Sequence, residues 1–144
     1  MNDIVTIVFA VALVGHGAAH GVAALNLVRQ IGGTVKDEAL EVRSWLLPGM
    51  SPATAATVAL TLWLPASLGF ILAAVSMLGI VLAALPWSAT MVAAALLSTA
   101  GIGLFGGIWP GGERRLRALH ILLALGMDAI ILVTQLLLGW PPAR

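Results

Sequence analysis

The stretch Val14-Gly-His-Gly-Ala-Ala-His-Gly-Val22 lies within a run from Ile4 to Val28 that contains no charged residue. This run is longer than the ~20 residues that a helix needs to cross the hydrocarbon core of a membrane. The stretch places His16 and His20 four residues apart, among residues with almost no side chain. It therefore predicts a membrane-spanning helix that packs closely on its neighbours and carries two imidazole rings.

The composition of the whole chain agrees with a membrane protein of one domain over residues 1–144. Apolar residues make up 60% and charged residues 9% of the chain, and its mean hydropathy is +1.06. Soluble domains carry about 25% charged residues, so most of this chain is expected to face lipid. A net charge of +1 gives no basic field for nucleic acid, and the lack of cysteine excludes thiol chemistry.

Four segments are long and apolar enough to span a membrane. They cover about residues 4–28, 55–82, 89–108 and 116–138. Proline and glycine in Leu85–Ser88 and in Gly106–Glu113 mark turns between the later spans. The sequence therefore predicts an all-α fold, a four-helix transmembrane bundle.

The connection from Arg29 to Ser51 is the one stretch with soluble character. Thr34 and Asp37 stand three residues apart, as in a capping box, ahead of apolar residues at helical spacing. This pattern predicts a short cytoplasmic amphipathic helix between spans 1 and 2, with Trp45 at the level of the lipid headgroups. A plain structured loop is the alternative.

The basic residues predict how the bundle is oriented. Six of the seven lysines and arginines fall in or beside the two connections that share one side of the membrane. These six are Arg29, Lys36, Arg43, Arg114, Arg115 and Arg117. Because cytoplasmic loops are enriched in basic residues, both termini are expected outside, in a multi-pass protein of a bacterial inner (plasma) membrane.

Small residues on the first span predict its packing surface. Gly17 and Gly21 form a Gly-x-x-x-Gly pattern that Ala24 continues, and such patterns let helix backbones approach closely. Since an imidazole facing lipid is unfavourable, His16 and His20 are expected to point into the bundle.

The fourth span carries a second polar stripe of His120, Asp128 and Gln135. Asp128 lies 13 residues from Arg115, and His16 lies 13 residues from Arg29. At ~1.5 Å per residue both side chains lie near the middle of the membrane, so contact between them is allowed. An unpaired carboxylate there would be expensive, so Asp128 is expected to be protonated, paired or exposed to water.

Several functions fit these residues. His16, His20 and His120, with Asp128 nearby, are candidate ligands for a divalent metal, and His20 with His120 are candidate axial ligands for a b-type haem. A polar pocket around His16, His20 and Asp128 would suit a proton-coupled transporter, or a membrane-embedded enzyme that acts on a small or lipid-soluble substrate. A hydrogen-bond network with a purely structural role also remains open.

Among these functions we favour a binding or accessory module with a His/Asp polar cluster between spans 1 and 4. A dry, fully bonded His/Asp cluster would support a structural or accessory role, whereas a water-filled cavity that reaches Asp128 would support a transporter or an enzyme. The expected partners are the lipid bilayer and a second copy or a larger membrane complex, and not nucleic acid.

The motif His16-Gly-Ala-Ala-His20-Gly, the tryptophan-led stretch Leu62–Ala74 and Leu85-Pro-Trp87 together resemble a known pattern. It occurs in small four-helix membrane proteins of actinobacteria and related GC-rich bacteria. The resemblance covers the first three spans and implies the four-span topology. It implies no activity and assigns no functional residue.

Overall fold

The structure of the protein is a computed structural model that describes residues 3–32, 42–80, 86–109 and 114–139. The described residues contain four main helices, and all four are long and apolar enough to cross a membrane. The elements are α1 (Asp3–Ile31), α2 (Pro52–Met77), α3 (Trp87–Phe105), a 3-10 turn (Gly106–Ile108), α4 (Arg114–Leu132) and a π-helical turn (Val133–Leu137). The predicted all-α bundle of four membrane helices is confirmed.

The ends of α2 follow from local backbone chemistry. Ser51 caps its first turn, because the Ser51 hydroxyl accepts a hydrogen bond of 3.2 Å from the Thr54 amide. The helix ends at Met77, five residues before the predicted end, and Gly79 follows with a positive φ of 73°. A glycine in this left-handed conformation is a common end to a helix, although the sequence remains apolar beyond it.

The predicted amphipathic helix between α1 and α2 falls mostly on residues 33–41, outside the described residues. Residues 42–46, which are described, are not helical. Val42 is buried in the core, and Trp45 is 71% exposed. The Trp45 indole N–H donates to the Gly103 carbonyl oxygen, which ties this segment to the end of α3.

The helices pack in chain order, α1 on α2, α2 on α3 and α3 on α4, whereas the described parts of α1 and α4 approach each other closely at few points. Buried apolar residues form two clusters, one around Trp63 and Phe105 and the other around Phe70 and Met91. Polar side chains of α1, α3 and α4 occupy the middle of the bundle, and the candidate site is built from them.

The glycines of α1 lie at its contact with α2. A Cβ atom on Gly17 would lie 2.9 Å from the Ser67 carbonyl oxygen, and one on Gly21 would lie 3.1 Å from the Ser67 hydroxyl. That hydroxyl donates a hydrogen bond of 2.7 Å to the Gly17 carbonyl oxygen. Together with the buried Ala24, these residues form what we call the α1–α2 seam. The seam positions the histidine face of α1 beside α3 and α4.

Candidate functional site

His16 and Asp128 form a direct pair in the middle of the bundle. The His16 Nε2 atom lies 2.8 Å from the Asp128 Oδ1 atom, and the Asp128 side chain is 1% exposed. The two residues come from α1 and α4, which are antiparallel, so their equal distance from the basic helix ends brings them to the same depth. Pairing with His16 gives the Asp128 carboxyl group a partner that lipid could not supply.

Two hydroxyl groups of α3 complete the surroundings of Asp128. The Ser98 hydroxyl donates to Asp128 Oδ2 at 2.5 Å, and the Thr99 hydroxyl donates to the same oxygen at 3.2 Å. Ser98 Oγ also lies 2.7 Å from His20 Nε2, so a continuous chain of contacts runs from His20 through Ser98 and Asp128 to His16. We call these five residues the polar network.

The sequence did not single out Ser98 or Thr99. The available signal was their position, because they are adjacent hydroxyl residues near the middle of a span that is otherwise nearly free of polar groups. Serine and threonine in membrane helices commonly bond to their own helix, so composition alone does not identify a functional pair.

The hydrogen on Ser98 fixes the role of His20. A hydroxyl group has one hydrogen, and when Ser98 donates it to Asp128, the Ser98 oxygen accepts from His20 Nε2. His20 is 0% exposed, and its Nδ1 atom has no hydrogen-bond partner among the described residues. A hydrogen on that nitrogen would be unsatisfied, so His20 is best described as a neutral ring that donates through Nε2.

Aromatic rings surround both histidines and hold them in place. The His16 ring lies 4.5 Å from Phe70 and 5.0 Å from His20, between ring centroids. The His20 ring lies 4.7 Å from Trp109 in an edge-to-face arrangement, and Trp109 packs in the same way on Trp63 at 5.3 Å. Such edge-to-face and stacked contacts favour one orientation of each ring.

A cavity of about 470 Å³ lies between α1 and α4, next to the polar network. Its lining is mainly apolar and includes two histidine rings. The lining residues are Ala12, His16, Ala19, Val22, Trp109, His120, Leu123, Ala124 and Met127. The cavity extends from the depth of His16 towards the end of the bundle where α1 ends and α4 begins. Asp128 and His20 do not line it.

The structure brings some of the predicted site residues together and separates others. His16, His20 and Asp128 belong to one network, and His120 is exposed in the same cavity as His16. Gln135 lies in the π-helical turn and lines a separate cavity of about 440 Å³ between α3 and α4. The polar stripe of the fourth span is therefore divided between two places.

The described residues give little support to a metal or a haem. Among them, no group of three or more His, Cys, Asp or Glu side chains is arranged to hold a metal ion. The His20 Nε2 atom, a candidate haem ligand, is engaged by Ser98, and the ring is enclosed by Trp109 and His16.

No protein-family model matches the chain, and neither the curated proteins nor the solved structures contain a match to it. The resemblance to small actinobacterial membrane proteins stays a prediction.

Proposed function

We propose that the protein is a membrane module that binds a small lipid-soluble molecule in the cavity between α1 and α4. The observation that carries this proposal is the cavity itself, which has a volume of about 470 Å³ and lies within the spans. Ligand pockets typically measure 300–1,000 Å³ and combine apolar walls with a few polar groups. Here His16 and His120 are the titratable groups among mainly apolar walls.

The state of Asp128 supports a binding or accessory module over a transporter. Its two carboxyl oxygens are contacted by His16, Ser98 and Thr99, and it does not line the cavity. A group that exchanges protons with a substrate or with water needs access to them. In this arrangement Asp128 instead orients the His16 ring, and His16 is the network member that meets a ligand.

The orientation in the membrane is part of the proposal. The cavity extends towards the end of the bundle that carries Arg29, Arg115 and Arg117, which we place on the cytoplasmic side of a bacterial inner membrane. Both termini would then lie outside. A second copy or a larger membrane complex remains the expected protein partner.

A proton-coupled transporter or membrane-embedded enzyme is the second candidate. The continuous chain from His20 to His16 favours it, because such chains can pass protons between their ends. Proteoliposomes that take up protons with the wild-type protein, but not with an Asp128→Asn variant, would favour this candidate over a binding module.

The binding proposal is tested by filling the cavity. Ala19 lines the cavity, whereas Ala18, its exposed neighbour, does not. The wild-type protein, Ala19→Phe and Ala18→Phe would be extracted into nanodiscs with native lipids, and bound lipophilic molecules would be measured by mass spectrometry per mole of protein.

We expect one molecule to be enriched with the wild type and with Ala18→Phe, and at least tenfold depleted with Ala19→Phe. The phenyl ring would occupy the volume that the ligand needs, and neither residue is in the core. Equal recovery from Ala19→Phe, or no enrichment over an unrelated membrane protein, would contradict the proposal.

A further inference from the structure

We infer that His16 donates a hydrogen bond from its Nδ1 atom to the bound molecule, which must therefore carry an acceptor oxygen of the carbonyl type. This inference rests on the proposed function and names the class of ligand: a lipophilic molecule with a ketone, quinone or ester oxygen near one end.

Only one ring nitrogen of His16 is available to a ligand. The His16 Nε2 atom is taken up by Asp128, and among the described residues the ring makes no other hydrogen bond. His16 lines the cavity, whereas Asp128 does not. The Nδ1 atom is therefore the polar atom that His16 can offer to a ligand.

The surroundings of the His16–Asp128 pair determine its net charge. The arginines of α1 and α4 lie near the helix ends, and among the described residues no Lys or Arg lies at the depth of the pair. His20 does not balance a charge on Asp128, because a second hydrogen on its ring would be buried without an acceptor. An uncompensated charge within the membrane is strongly unfavourable, so the pair as a whole is neutral.

A neutral His16–Asp128 pair can place its hydrogens in two ways. Either His16 is an imidazolium beside a carboxylate, or it is a neutral imidazole beside a carboxylic acid. In both arrangements one hydrogen lies between Nε2 and Oδ1, and a second hydrogen is bound to Nδ1. The hydrogens that Ser98 and Thr99 donate to Oδ2 are compatible with both. The Nδ1 atom is a donor wherever the shared hydrogen resides.

The remaining walls determine the rest of the ligand. Besides His16, the cavity lining includes two side chains with N–H groups, Trp109 and His120, whereas the others, such as Ala12, Ala19 and Met127, offer no hydrogen-bond donor. A ligand oriented by His16 thus places its polar end near the middle of the membrane and needs an apolar body. Phospholipid headgroups lie at the interface instead, so a lipophilic molecule with a carbonyl oxygen near one end fits this cavity better than a phospholipid does.

The test compares two probes of nearly equal shape in nanodiscs that contain the protein. One probe is 2-undecanone with a ¹³C-labelled carbonyl, and the other is 2-methyl-1-undecene, in which a methylene group replaces the oxygen. We expect the wild type to prefer the ketone by about tenfold, as for one strong hydrogen bond. The labelled carbonyl band should also shift to lower frequency on binding.

Two variants of His16 separate the hydrogen bond to the ligand from the pair with Asp128. In His16→Gln the amide nitrogen takes the place of Nε2 and keeps a partner for Asp128, but no donor remains at the position of Nδ1. In His16→Asn the amide nitrogen lies near the position of Nδ1. We expect the ketone preference and the band shift to be lost in His16→Gln and partly retained in His16→Asn.

A measurement on the unmodified protein avoids any effect of a variant on folding. The chain has three histidines, so ¹⁵N-histidine labelling gives few ring signals. We expect the His16 Nδ1 signal to be that of a nitrogen bound to hydrogen, and to move when 2-undecanone is added. A bare Nδ1 nitrogen would overturn the inference.

The outcomes distinguish the two proposals. Equal binding of ketone and alkene by the wild type, with both lost in Ala19→Phe, would overturn the carbonyl inference and leave the binding function intact. Binding of both probes that is unchanged in Ala19→Phe would overturn the binding function and the inference with it. Ketone preference that survives in His16→Gln would overturn the role of His16 alone.

Discussion

The two sides of α1 use small residues for opposite purposes. On the side of α2, Gly17 and Gly21 allow backbone contact, and the Ser67 hydroxyl bonds across the seam at 2.7 Å. On the side of α4, Ala12 and Ala19 face a cavity of about 470 Å³. Small side chains therefore give close helix packing only where the partner helix can approach. Where it cannot, they leave a cavity between the two helices.

The His16–Asp128 pair explains why α4 stays apart from α1. Two side chains, bonded end to end at 2.8 Å, lie between the helix backbones and set their separation. In the seam, the missing side chains of glycine allow the backbones to meet. The contact between α1 and α4 is polar and leaves room beside it, whereas the seam combines close van der Waals packing with one hydrogen bond from Ser67. Substitutions in the two contacts should therefore change the free energy of unfolding by different amounts and for different reasons.

The largest effect is expected from Asp128→Ala, which removes the polar contact on the α4 side. It would leave His16, Ser98 and Thr99 without their shared partner, and breaking a buried pair typically destabilises a protein by about 3–5 kcal/mol. The free energy of unfolding would be measured by denaturant titration in mixed micelles.

Gly126→Ala is the matched control on α4, because a Cβ atom there would meet no neighbouring atom within 4 Å. It should leave stability unchanged or slightly raised, since alanine favours a helix over glycine. A loss with Asp128→Ala no larger than that of the control would mean that the pair does not hold α4 in place.

A smaller loss is expected from Gly17→Ala on the α2 side. The added Cβ atom would lie 2.9 Å from a backbone oxygen of Ser67, which cannot rotate away, so the helices must separate. Overpacking of this kind costs about 1–3 kcal/mol. The same unfolding titration would be applied to Gly15→Ala, whose added Cβ atom has open space around it. Equal stability of the two variants would show that the seam is not closely packed.

The smallest effect is expected from Ser67→Ala, which removes one hydrogen bond from the seam but keeps its packing. A loss of about 1 kcal/mol is typical for such a bond. Thr57→Ala is the control, because the exposed Thr57 hydroxyl bonds to the Ala53 carbonyl of its own helix. If thermal unfolding in detergent moved as much for Thr57→Ala as for Ser67→Ala, the bond across the seam would contribute nothing specific.

The sequence predicted the parts of the molecule that depend on length and periodicity. Hydropathy located the four helices, and the rise of a helix brought His16 and Asp128 to one depth. It could not predict that Ser98 contacts Asp128 and His20, because a hydroxyl group in a span usually bonds to its own helix. The end of α2 at Met77 was also missed, since the chain stays apolar beyond it. The cavity depends on how far α4 stands from α1, which no local pattern encodes.

The position of Asp128 on the fourth span has a consequence for how the protein is made. During synthesis the first three spans enter the bilayer before α4, and they already carry His16, Ser98 and Thr99, the partners of Asp128. An aspartate at the centre of a helix opposes insertion by about 2.5–3.5 kcal/mol when it has no partner. If α4 inserted alone, it would bear that penalty. Beside an assembled α1–α3 unit, Asp128 instead gains three polar partners. Stable insertion of the fourth span is thus expected to depend on correct folding of the first three.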